Sequence, residues 1–117
     1  MKTLEDELIV HFGERLSPLT AQDLLPAGIG SPLRKLVESD YTIVFCREGF
    51  SVTSTPGETV TCRYGDRNIL WPDLRTLMEM SRTGVGFLVI NGPQTISIRL
   101  PAHVLTALGS VASHWPA

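Results

Sequence analysis

Residues 71–100 read WPDLRTLMEMSRTGVGFLVINGPQTISIRL, and two hydrophobic periods meet in them. Through Arg82 the apolar residues recur at helical spacing. After Gly84 they follow strand patterns. Pro72 has a fixed φ and no N–H, which suits a first helical position. Asp73 behind it puts a negative charge where the helix dipole favours one. Leu70, Leu74, Leu77, Met78 and Ser81 predict one buried face. Arg75, Glu79 and Arg82 predict a wet one, with Arg75 and Glu79 four apart and able to pair. Gly84 is expected to end the helix in the left-handed conformation. Phe87, Leu88, Val89 and Ile90 form a continuous apolar run, which predicts a strand covered on both faces. Asn91-Gly92 marks a hairpin turn that Pro93 lengthens. Ile96, Ile98 and Leu100 then alternate with polar residues as a half-buried strand does.

Working outward, Ser31-Pro32 predicts a second helix, with Leu33, Leu36 and Val37 inside and Arg34, Lys35 and Glu38 outside. Tyr41–Cys46 is rich in β-formers, with Ile43 and Phe45 on one face. A turn at Arg47-Glu48-Gly49 leads to alternation of Phe50, Val52 and Ser54. A turn at Thr55-Pro56-Gly57-Glu58 leads to a third strand through Val60, Cys62 and Tyr64. At the N-terminus, Leu4, Leu8, Ile9, Phe12 and Leu16 predict a helix over residues 3–16, with a strand over Leu8–Phe12 as the alternative. Thr3 and Asp6 are spaced as a capping box. Thr20 is positioned to cap a short helical turn over Ala21–Leu25. Gly28-Ile29-Gly30 lacks the strand and the Lys-Ser/Thr pair of a phosphate loop. After Leu100, Pro101 opens a last helix with Val104, Leu108, Val111, Ala112 and Trp115 as its stripe. Few charges mark its other side, so packing against a partner or a second copy is expected there.

Leu33-Arg34-Lys35-Leu36-Val37-Glu38 resembles Leu74-Arg75-Thr76-Leu77-Met78-Glu79, 41 residues on, and each segment follows a proline. The expected fold is α+β: two helix–hairpin units forming small antiparallel sheets packed on helices, with a C-terminal helix. One domain is expected over 1–117, with an N-terminal helical region (1–30), a helix–hairpin core (31–100) and the C-terminal helix (101–117).

The chain has 117 residues, 43% hydrophobic and 19% charged, which suits a self-sufficient core and argues against disorder. The net charge of −2 and the lack of a basic stripe argue against a nucleic-acid partner. Residues 3–7 are acidic where a signal peptide needs an apolar core, and no apolar run is long enough to span a membrane. The expectation is a cytoplasmic protein, or a periplasmic one if the chain is a trimmed piece.

Cys46 and Cys62 are not at CxxC spacing and no histidine cluster accompanies them, so no metal site is expected. Arg47 beside Cys46 could lower a thiol pKa. The available bases, His11, His103 and His114, sit in no catalytic motif. Asp66, Asp73 and Glu79 suit loop and helix-start positions better than a carboxylate site. No catalytic residue, cofactor or metal is predicted, and the protein is expected not to be an enzyme.

Trp71-Pro72-Asp73-Leu74 through Leu77, Arg82-Thr83-Gly84-Val85-Gly86-Phe87, Asn91-Gly92 and Thr95-Ile96-Ser97-Ile98 resemble the end of the secretin and TonB N-terminal domain. Leu33–Ser39 followed by Tyr41–Phe45 is similar to that family's first helix and strand. The resemblance covers residues 31–100 and departs from the pattern at Val85 and in the last helix. It implies a non-catalytic module that docks other proteins in an envelope or secretion assembly. By element order the chain is also similar to the homodimeric chaperones of type III secretion effectors. The expected function is protein–protein interaction, with Trp71, Phe87, Val104, Leu108 and Trp115 as candidate contact residues and a homodimer as one arrangement. The alternatives are an effector chaperone or toxin-neutralising immunity protein, and a small enzyme using Cys46.

Overall fold

Thr3 starts the first helix, α1 (Leu4–Phe12), with the reciprocal cap its spacing predicts. Its hydroxyl accepts from the Asp6 amide at 3.2 Å, and the Asp6 carboxylate accepts from the Thr3 amide at 3.0 Å. The structure, a computed structural model, describes residues 3–20, 26–54 and 57–114. Leu4, Leu8 and Phe12 are the buried side of α1, while Ile9, expected in that stripe, is exposed. The helix is shorter than expected. A 3-10 turn over residues 13–15 leads into a two-residue strand, β1 (Leu16–Ser17), so Leu16 belongs to a sheet.

The largest correction follows. Residues Pro32–Val37 form a strand, β2, and not a helix. β2 lies between β1 and β3 (Tyr41–Cys46), with Leu36 opposite Leu16 on one side and Ile43 on the other. Extended backbone is what puts Leu36 into the core with no exposed surface. Ser31 helps through its carbonyl, which accepts from the Arg47 amide at 2.9 Å, a sheet-edge bond in place of a helix cap. Arg15 and Glu38, paired at 2.6 Å, tie β1 to the β2–β3 turn.

The chain then meanders through β4 (Gly49–Ser54) and β5 (Thr59–Arg63), completing an antiparallel sheet in the order β1-β2-β3-β4-β5. Ile43, Phe45, Phe50, Val52, Val60 and Cys62 face the main core. Val44 and Cys46 face the other way and make a small second cluster with Ile29. Gly49 is required at its position, because a Cβ there would lie 2.0 Å from the Cys62 carbonyl oxygen.

A second antiparallel sheet has the order β6-β7-β8, from Ile69–Leu70, Val85–Ile90 and Ile96–Pro101. Between β6 and β7 runs α2 (Leu74–Thr83). Pro72 stands outside α2, and Asp73 is its N-cap instead of a first-turn residue. Gly84 ends it at φ 78°, ψ 4°, as expected. β7 is not covered on both faces: Gly86 and Leu88 are buried and Phe87 is exposed, since the core lies on one side only.

Pro101 closes β8, and α3 (Ala102–His114) begins one residue later than expected. α3 touches α1, α2, β7 and β8. On its other side His103, Thr106 and Ser113 are exposed. The fold is α+β, with a five-stranded and a three-stranded antiparallel sheet and a C-terminal helix. The two similar hexapeptides do not make two helix–hairpin units, because the first is a strand. Ala21–Leu25, the Thr55-Pro56 pair and Trp115 lie outside the described residues.

Candidate functional site

Among the described residues, the stretch around α2 holds more exposed large apolar side chains than any other. Asp73 starts α2. Its carboxylate accepts from the Thr76 amide at 2.8 Å, and the bonds from Thr76 hold the carboxyl below the usual aspartate range. The helix this sets up is turned away from the expected face. Met80 is buried and Leu77 half-buried, while Leu74 is 75% and Met78 68% exposed. At about 100° per residue, Leu74 and Met78 lie roughly 90° and 130° from the middle of the Leu77–Met80 side. The Met80 side chain rests against Gly86 of β7, and that contact fixes the rotation. Glu79 pairs with Arg82, not with Arg75.

Leu70 on β6 and Phe87 on β7 are also more than half exposed. Among the described residues, four of the seven exposed large apolar side chains therefore belong to residues 70–87. A groove of about 520 Å³ runs between α2 and β7, walled by Leu70, Trp71, Phe87 and Val89, with Asp73 and Glu79 on its helical side. A second cleft of about 310 Å³ lies between α2 and α3, where the Trp71 ring sits over Gly109. Trp71, half-buried, is a wall of both. The volume of the first groove is within the usual range for ligand-sized sites, about 300–1,000 Å³.

Of the contact residues expected from sequence, the structure brings Trp71 and Phe87 together on one groove. Val104 and Leu108 are corrected: both are fully buried among α3's neighbours and present nothing to a partner. Trp115 lies outside the described residues. Leu70, Leu74 and Met78 were assigned to the core by their spacing and are surface instead. The signal that separates them is Met80 facing the side-chain-free position at Gly86, which needs the β7 partner to be known.

The residues that could carry chemistry are dispersed. Cys46 and Cys62 are free and buried, on opposite faces of the five-stranded sheet with β4 between their strands, so they do not pair. Burial raises the Cys46 thiol pKa, opposite to what a nucleophile needs, and pushes Cys62 up to about 12. Tyr64 donates to the Cys46 carbonyl at 2.8 Å, a structural bond. His11 and His103 line a cleft of about 680 Å³ among the three helices, with neither cysteine in its wall. Asp66 accepts from the Asn68 amide at 2.9 Å, Asp73 caps α2 and Glu79 pairs with Arg82, so these carboxylates are occupied separately. Among the described residues no group of three or more His, Cys, Asp or Glu side chains could hold a metal ion, and no helix is long and apolar enough to cross a membrane.

No family model, curated protein or solved structure matches this chain.

Proposed function

We propose that the protein is a non-catalytic docking module that binds a protein partner on the α2-centred surface. One observation carries this: Leu70 and Phe87, each more than half exposed, wall one groove together with Trp71 and Val89. Contiguous exposed apolar surface marks interaction sites in water-exposed proteins. An aromatic anchor at such a groove is a common centre of binding energy.

The resemblance of residues 71–100 to the secretin and TonB N-terminal domain supports an envelope or secretion component as the partner class. Its first half no longer counts, since residues 32–37 are a strand. Self-association of the effector-chaperone kind is the competing arrangement, and the order α1, strands, α2, β7, β8, α3 is what supports it.

Panning a random dodecapeptide library on the purified chain tests the docking surface. Selected peptides are expected to bind the wild type and to lose at least tenfold in affinity for Phe87→Asp. They are expected to keep full affinity for Ile9→Asp, whose side chain on α1 is equally exposed. Binders indifferent to both changes, or no binders, would remove the proposal.

A further inference from the structure

We propose that the occupant of the α2–β7 groove is an extended peptide segment with apolar side chains that adds a strand to the β7 edge where β6 stops. The inference rests on the docking surface above and names how that surface recognises its partner.

The hydrogen-bond phase of the second sheet locates the vacancy. The Ala102 amide donates to the Gly84 carbonyl at 3.0 Å, and Val85 lies opposite Pro101. Alternation in an antiparallel ladder then makes Gly86, Leu88 and Ile90 bond to β8, while Val85, Phe87 and Val89 point the other way. On that other side the Asn91 amide donates to the Asn68 carbonyl at 2.7 Å, and Leu70 stands opposite Val89. The two phases agree. Two residues further along, position 72 would stand opposite Phe87. It is a proline, with no N–H to give, and the chain leaves the sheet there for α2. Among the described residues the Phe87 amide and carbonyl therefore have no main-chain partner. The next outward pair, at Val85, is held only by the Thr83 hydroxyl, at 3.4 Å from the amide and 3.3 Å from the carbonyl.

An unpaired register of this kind is filled by extended backbone, with side chains supplying specificity. Leu70, Trp71 and Phe87 offer apolar contacts. Asp73 and Glu79 on the groove wall are already engaged, by the Thr76 amide and by Arg82, so the apolar walls set the preference for apolar side chains in the segment. The free edge of β5, at Thr59, Thr61 and Arg63, is one competitor. Its exposed side chains are polar, as managed sheet edges usually are.

The test uses a peptide selected on the full chain, with amide hydrogen exchange read by residue. Binding is expected to slow the Phe87 amide at least tenfold and to leave Thr61 unchanged. Methylating the peptide's main-chain nitrogens one at a time is expected to weaken binding at least tenfold at alternate positions only. Pro72→Thr supplies the missing donor to the Phe87 carbonyl, so the new amide at position 72 is expected to be protected without peptide and peptide binding to weaken. Three results would overturn the inference. One is a groove peptide lost on Phe87→Asp whose binding leaves the Phe87 amide untouched and ignores N-methylation, which would keep the docking surface and remove the added strand. Another is protection at Thr61. The third is protection of Phe87 that grows with protein concentration alone, which would make the occupant a second copy. Loss of the docking surface itself would appear separately, as binding indifferent to Phe87→Asp.

Discussion

Leu33-Arg34-Lys35-Leu36-Val37-Glu38 and Leu74-Arg75-Thr76-Leu77-Met78-Glu79 share four of six residues and follow a proline, yet one is the strand β2 and the other the helix α2. The difference lies in what flanks them. Ser31 gives its carbonyl to Arg47, whereas Asp73 gives its carboxylate to the Thr76 amide. A hairpin and a short edge strand then hold β2 from both sides, and Gly84 stops α2 in a left-handed turn. In β2 the second leucine is wholly inside; in α2 the first leucine and the methionine are outside. The same amphipathic code supplies core in one place and spare surface in the other.

Truncating the second leucine of each hexapeptide should break that symmetry most strongly. Leu36→Ala is expected to cost about 3 kcal/mol in urea denaturation, because a fully buried leucine leaves a cavity. Leu77→Ala, at a half-buried site lining two clefts, is expected to cost about 1 kcal/mol. Equal losses would mean that α2 is as deeply seated as β2.

Changing the residue that opens each element is the next sharpest test. Asp73→Ala should lower the denaturation midpoint, since it removes the α2 cap, and Ser31→Ala should leave it unchanged, since a carbonyl makes that contact. The Asp73 carboxyl is held below its unfolded value, so its contribution is fully present above about pH 5 and fades as pH falls below about 4. The gap between wild type and Asp73→Asn should therefore be constant from pH 7 to 5 and shrink in acid. A gap that grows in acid would assign the cap to another group.

The sequence made α1's capping box, the strands from Tyr41 to Tyr64, the left-handed Gly84 and the β7–β8 hairpin legible, because each depends on near neighbours. It misassigned Pro32–Val37 because helix caps and strand starts use the same Ser-Pro pair, and only pairing with Ile43 decides between them. It put Leu74 and Met78 inside because spacing reports a face without its direction. It placed Val104 and Leu108 on the stripe of α3 but could not say that the stripe points into the core. Trp71 and Phe87 are legible in the sequence as candidate contact residues, although Phe87 is also expected in a strand covered on both faces. The open main-chain register beside Phe87 is not legible there, since it depends on where β6 ends relative to β7.

The smallest expected effect gives the most direct measurement: the urea denaturation of Leu74→Asp combined with Met78→Asp. If this face is spare surface, the double variant should unfold within about 0.5 kcal/mol of the wild type, as exposed substitutions do. A loss near that of Leu36→Ala would show that Leu74 and Met78 belong to the fold and would contradict the α2 face as spare surface.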